Sequence, residues 1–349
     1  MNGQDRIRRS AAVSLGLTLL SALATPALAS RQPLSKVHET IAAKGPDYVI
    51  ETDRQSGDVV IRYETGMKDQ QWGKTVWVPP NKVEVTIEAA VDVAPEGALS
   101  YRYRLVSSPK SRQRVESLVV EFEGAIFDVS SPPAWKGDAR SSQPLLIWLT
   151  TKGAAAPGQS LGGFTFKAAT APTALRLKGF RFRPGIGLFR SPGALPGIVN
   201  CYAHGSAPVM TFYGEAPEGV DKALPGWLLS GVRGKTIGPV AVPDEDAPTK
   251  LLGALGGYAK ESLALGWIER QETAERYALA VSEIQEILAG GPLLAGLPGP
   301  VAGRAMAARL KTLAARVESD RARQAITSEA YALFTYHARY LLQLLGDLR

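Results

Sequence analysis

Two hydrophobic periods divide this 349-residue chain. Up to about residue 240, apolar and polar side chains alternate. Val83, Val85 and Ile87 interleave with Glu84, Thr86 and Glu88, and Tyr101, Tyr103 and Leu105 interleave with Arg102 and Arg104. A period of two puts one kind of side chain on each face of a strand, so these stretches predict half-buried strands. A return strand is expected over 118–122, after the turn at Ser107–Ser111, with others over 48–52, 59–63, 145–149 and 160–167. Leu175, Leu177, Phe180 and Phe182 alternate too, with a phase slip at Gly179 that a bulge would explain. Short strands between Gly, Pro and Ser turns, with no long helix among them, predict an all-β, immunoglobulin-like sandwich over 48–240.

After Pro243-Asp244-Glu245-Asp246-Ala247-Pro248 the spacing becomes helical. Leu252, Leu255, Ala259 and Leu263 mark one face, and Tyr277, Val281, Ile284 and Leu288 a second. Leu310, Leu313 and Val317 mark a third, and Ala330, Leu333, Phe334, His337, Leu341 and Leu344 a fourth, with Thr327 as its cap. The expectation is a linker at 241–248 and a small helical bundle over 249–349, giving a segregated α+β chain of two parts able to fold separately. A short helix is also expected within 30–47, from Leu34 to Ala43, closed by Gly45-Pro46.

The first 29 residues carry a different signature. Arg6, Arg8 and Arg9 precede an apolar run from Ala11 to Leu23, and Ala27-Leu28-Ala29 follows Pro26. That order is a secretory signal peptide cut after Ala29, with an apolar run shorter than the roughly 20 residues a membrane span needs. The mature chain is expected to be secreted or periplasmic, with no stable membrane anchor after cleavage. Its single cysteine, Cys201, allows no internal disulfide and no cysteine-built zinc site. The net charge of +7 falls by two when the leader is removed, too small an excess to announce a nucleic-acid partner.

Leu265-Gly266-Trp267-Ile268-Glu269, the stretch from Ala305 to Glu318, and Ile326-Thr327-Ser328-Glu329-Ala330-Tyr331-Ala332-Leu333 together resemble the FIMAH-type helical module of bacterial exported proteins. Arg270-Gln271 and Arg323-Gln324 stand where that pattern has an Asn-Pro or Asn-Gly pair and a Gly-Lys pair. Over the last 90 residues or so, the resemblance implies an accessory or spacer role and no catalytic residues. The β part resembles sandwich regions that precede such modules in exported proteins, through Pro157-Gly158-Gln159-Ser160-Leu161-Gly162-Gly163-Phe164 and through the hairpin that follows Tyr101-Arg102-Tyr103.

Candidate chemistry is sparse. Gly158-Gln159-Ser160-Leu161-Gly162 fits a nucleophile-elbow pattern, but the segment continues as a strand where that mechanism needs a helix. The three histidines, His38, His204 and His337, are scattered, and His204 near Cys201 is a poor metal pair. Glu121 and Glu123 alternate as the wet face of a strand. Arg102, Arg104, Lys110, Arg112 and Arg114 on one hairpin, with Arg176 and Lys178 near another, would make a basic strip for sulfated, uronic or phosphate-bearing polymers if the hairpins are neighbours. Trp72, Trp77, Trp135 and Trp227 lie near turns, where aromatics can stack on sugars or anchor the fold. The leading expectation is therefore an exported, non-enzymatic structural or binding protein of unknown ligand and partner, without metal or cofactor, a cell-envelope or extracellular polysaccharide being the partner to consider first. The alternatives are a carbohydrate- or polyanion-binding module and a serine hydrolase using Ser160.

Overall fold

The structure, a computed structural model, describes residues 31–34, 42–65, 72–140, 144–169, 193–206, 216–220, 222, 231–243, 247–290 and 299–346. Among the described residues, three antiparallel sheets come first and four helices last. The leader, the Gly179 region with Arg176 and Lys178, His38 and Trp227 lie outside the described residues.

Strands β1 (Ala42–Lys44), β2 (Tyr48–Thr52), β3 (Val59–Glu64) and β4 (Trp72–Trp77) form a four-stranded meander. The helix expected to end at Ala43 is corrected here, because Ala42 and Ala43 pair with Glu51 and Ile50 in β1 and Leu34 is in no helix. Residues 35–41 lie outside the described ones. This sheet has its own small core of Ile50, Val59, Ile61, Tyr63, Trp77 and Val220.

The remaining strands form two larger sheets. Strands β5 (Val85–Val93), β6 (Leu99–Ser107), β8 (Ile126–Ser130) and β11 (Ser160–Ala168) form one, in the order β5-β6-β11-β8. Strands β7 (Val115–Glu121), β9 (Trp135–Arg140), β10 (Leu145–Thr150), β12 (Ala194–Gly205) and β13 (Val232–Ala241) form the other, in the order β13-β12-β7-β10-β9. The alternation read from sequence decides the faces: Tyr101, Tyr103 and Leu105 of β6 are buried while Arg102 and Arg104 are exposed. An aromatic layer joins these sheets. Tyr103 and Phe166 lie against Trp148 of β10, and Trp135 meets Phe164 edge-on at 5.0 Å. The Tyr103 hydroxyl crosses between the sheets to donate to the Ile237 carbonyl at 2.7 Å.

Helices α1 (Ala247–Ala264), α2 (Gln271–Leu288), α3 (Gly299–Ala322) and α4 (Ser328–Leu344) follow. Their apolar stripes fall as the 3.6-residue spacing requires: Leu252, Leu255 and Ala259 on α1, Tyr277, Val281 and Ile284 on α2, Leu310, Leu313 and Val317 on α3. Buried Asp320 accepts from the Tyr277 hydroxyl at 2.8 Å and from Arg323, tying α2 to α3. The two FIMAH-like stretches meet: Ile268 and Ile326 form an antiparallel bridge, and the Thr327 N–H donates to the Trp267 carbonyl at 2.8 Å. Thr327 does stand at the N-cap of α4, but its hydroxyl makes no cap hydrogen bond.

The two parts, expected to fold separately, share one core. Secondary structure does change between Ala241 and Ala247, yet one hydrophobic core runs from Tyr101, Phe166 and Trp148 of the sheets through Leu252, Phe334 and Leu341 of the helices. The physical reason is α4, almost every residue of which is buried from Glu329 to Ala338. A helix buried on every side needs cover all round, and α1, α3, β5 and β12 supply it together.

Candidate functional site

The site lies where β5 ends its sheet. An edge strand exposes a row of main-chain groups, those of alternate residues. In β5 three of them are taken: the Val85 carbonyl by the Leu34 N–H at 2.8 Å, the Ala89 N–H by the Glu329 carboxylate at 2.6 Å, and the Val91 carbonyl by the Tyr336 hydroxyl at 3.0 Å. Segment 31–34 and helix α4 therefore share the cover of one edge.

Glu329 is fully buried in the first turn of α4. Besides Ala89 it receives both prongs of Arg31, with Nε and Nη2 each at 2.9 Å. Such a bidentate pair, with a main-chain donor and the α4 N-terminus adding to it, is what permits a carboxylate to stay buried. Arg31 Nη1 lies 3.6 Å from Glu88, whose other oxygen lies 3.6 Å from Arg104. The segment is held twice more: the Gln32 N–H donates to the Leu265 carbonyl at 3.2 Å, and the Leu34 side chain presses on Gly234 of β13. A Cβ at Gly234 would come within 2.1 Å of Leu34, so this position needs glycine for close approach.

Beside the segment opens a cleft of about 330 Å³, lined by Arg31, Gln32, Asn200, Arg233, Lys235 and Trp267 among others, with no acidic side chain in the lining. Arg233 and Lys235 are two apart on β13 and face outward together. Their register partners on β12 are Tyr202 and Asn200. Glu121 of β7 sits behind these, accepting from Asn200 Nδ2 at 2.7 Å and from the Tyr202 hydroxyl at 3.0 Å. Burial beside that carboxylate raises the Tyr202 pKa. Thus Glu121 is a hydrogen-bonded anchor, not merely a wet face, and Glu123 likewise receives the Ala241 N–H at 2.9 Å. The arrangement can hold an oxyanion. Among its lining residues there is no carboxylate, histidine or cysteine to act as base or nucleophile.

The basic strip read from sequence is divided. Arg102 pairs with Asp92 and Arg104 with Glu88, both across from β6 to β5. Arg112 binds Asp58, itself 4% exposed, at 2.6 Å, and thereby ties the small sheet to the larger ones. Arg114 and Lys110 are exposed on the same hairpin. Arg176 and Lys178 lie outside the described residues. Sequence reading missed Arg31, Glu329, Arg233 and Lys235. The two-residue spacing of Arg233 and Lys235 was a visible signal of a shared strand face, whereas the Arg31–Glu329 pairing spans nearly the whole chain and leaves no local trace.

Ser160 opens β11, opposite Val106 of β6, so a strand running to Ala168 follows it directly where a nucleophile elbow needs a helix. Gly158 precedes it with φ +81°, the left-handed turn that the Gly-rich stretch supplies. His204 lies in strand β12, opposite Ser117. Cys201 is buried in β12, and burial pushes its thiol far above its usual pKa. No group of three or more metal-binding side chains occurs among the described residues, and no helix there is long and apolar enough to cross a membrane. Trp77 and Trp135 are buried, the latter donating to the Gly153 carbonyl at 2.8 Å, while Trp72 is exposed. Comparison with known proteins finds no matching family model, no matching curated protein and no matching solved structure.

Proposed function

We propose that the chain is an exported, non-enzymatic binding or structural protein in which an immunoglobulin-like sandwich and a FIMAH-like helical module act as one rigid body. The observation that carries the reading is the core shared by sheets and helices, clamped by the buried Arg31–Glu329 pair. A spacer or binding platform needs such stiffness between its parts, whereas modules joined by a loose linker move independently. The sandwich part of the reading rests on the aromatic layer between the two larger sheets and on the Tyr103 cross-link. The export part rests on the leader-like pattern of residues 1–29, which would make Ser30 the first residue and Arg31 the second. Export is tested by sequencing the N-terminus of protein recovered from the periplasm or medium. Ser30 supports the reading, and an intact Met1 refutes it. The serine-hydrolase reading predicts covalent labelling of Ser160 by a fluorophosphonate, and the binding reading predicts none.

A further inference from the structure

We propose that the cleft between segment 31–34 and strands β12–β13 binds the acidic group of an anionic saccharide, a carboxylate or sulfate carried on a sugar unit. This deepens the reading as an exported binding protein and rests on it.

The cations come from chain positions about 200 residues apart, Arg31 on the N-terminal segment and Arg233 and Lys235 on β13, yet line the same cleft. Its volume, about 330 Å³, lies at the lower end of small-molecule sites and suits one substituted ring better than a duplex groove. Arg31 is preorganised, because Glu329 fixes two of its three nitrogens. Among the described residues the third, Nη1, has only the 3.6 Å ion contact to Glu88, beyond hydrogen-bond distance, and so keeps donors for a ligand. A guanidinium held flat by a carboxylate on one side presents a fork that matches a carboxylate or sulfate on the other.

Lys235 adds a point charge and three donors. Asn200 gives Nδ2 to Glu121, which leaves its amide oxygen as the acceptor for a sugar hydroxyl. Gln32 supplies both donor and acceptor groups. This polar, hydroxyl-compatible lining separates the cleft from the β5–β6 hairpin, where Arg102 and Arg104 already face Asp92 and Glu88. The lining of the cleft, unlike that hairpin, carries no acidic side chain.

The test uses the full mature chain and isothermal titration with four probes: a heparin hexasaccharide, a galacturonate hexamer, a neutral maltohexaose and a single-stranded dT6. Binding of either acidic saccharide, stronger than that of dT6 and absent for maltohexaose, is the expected result. Sulfate as the preferred group shows as tighter heparin binding, carboxylate as tighter galacturonate binding. Arg233→Gln with Lys235→Gln weakens the preferred probe at least about tenfold, the worth of a lost charge-assisted contact. Arg102→Gln with Arg104→Gln changes it less than about twofold. Equal losses from the two pairs, maltohexaose binding as well as the acidic probes, dT6 binding more tightly than either, or no acidic saccharide binding at all, each overturns the proposal. Failure of this kind with Ser30 at the N-terminus leaves the exported-protein reading standing, whereas an intact Met1 strikes that reading alone.

Discussion

The small sheet β1–β4 and the helices α1–α4 exchange the roles their sequences suggest. The sheet alternates like the strands that follow it and reads as part of one β domain; the helices, beyond a Pro- and acid-rich break, read as a detachable module. In the structure the small sheet keeps a core of its own and meets the larger sheets through polar contacts. These include Arg112 to Asp58, Lys82 to the Ser56 carbonyl, and Gln113 to the Val78 carbonyl. The helices instead share the main core and cover the β5 edge. A cooperative unit is bounded by where apolar surface is buried together, and a change of hydrophobic period need not coincide with that boundary.

The strongest way to break this comparison is Arg31→Ala in the full chain. It leaves Glu329 buried without its counter-ion, which costs about 3–5 kcal/mol in buried pairs generally. Urea unfolding followed by helical circular dichroism and by tryptophan fluorescence should shift to lower midpoints together. Helices that melt while the larger sheets persist would restore the detachable module. Adding Glu329→Leu to Arg31→Ala should recover part of the loss, because no lone charge then stays buried.

Next in size is Ile61→Ala. Ile61 is fully buried in the small core, and truncation there costs about 3 kcal/mol by the usual cavity scale. Amide hydrogen exchange should quicken in β2 and β3 while β6, β12 and α4 keep their protection. Loosening of α4 as well would make the small sheet part of the main unit.

These contrasts also mark what the sequence could convey. Every strand assigned from alternation was found, apart from those outside the described residues, and the helical stripes held at Tyr277, Val281 and Ile284 but not at Leu288 and Leu344, which are exposed. Period is a local property, so local reading recovers it. The buried Arg31–Glu329 pair joins residues 298 apart, and no local pattern encodes it. A warning was nonetheless present. On α4, Leu333, Phe334, Leu341 and Leu342 stand beside Ala330, Ala332 and Ala338, too apolar a helix for one wet face. The basic strip is a different case: its described arginines alternate as expected, but Arg104 faces Glu88 in register and Arg102 pairs with Asp92 two positions further along β5, which only strand pairing reveals. The cleft needed three-dimensional proximity of segment 31–34 to β13, and β13 lies in a Pro- and Gly-rich stretch where strands were hardest to read.

Acid should loosen the helical side through His337. Burial holds this imidazole down to about 4, while its Nδ1 contact with the Leu333 carbonyl at 2.8 Å acts weakly the other way. Its unfolded value is about 6.5, so between pH 6.5 and 4 the unfolded chain binds the extra proton. Its contribution is complete above pH 6.5 and is lost as pH falls toward 4, up to about 3 kcal/mol. Carboxylates titrate in part of the same window, so the comparison is with His337→Gln. That variant, whatever its stability at neutral pH, should lose less on acidification. Parallel stability–pH curves for the two proteins would remove His337 from the account.

The smallest expected effect is also the most local test of whether α4 belongs to the sheet. The Tyr336 hydroxyl is buried and donates to the Val91 carbonyl of β5 at 3.0 Å, and the Arg339 guanidinium lies 5.8 Å from the centre of its ring. Tyr336→Phe keeps the ring and its packing, removes the donor, and leaves an edge carbonyl buried without a partner. A single lost hydrogen bond of this kind costs about 1 kcal/mol, the larger part being the desolvation of the orphaned group. Tyr331 offers the control on the same helix: its hydroxyl reaches Glu318 at 2.7 Å in an exposed position, where water can replace it. Tyr331→Phe should therefore lower the urea midpoint by much less, with the denaturant slope unchanged in both variants. If the two substitutions cost the same, the β5 edge is not sealed by α4, and the helices rest on the sheet through apolar contact alone.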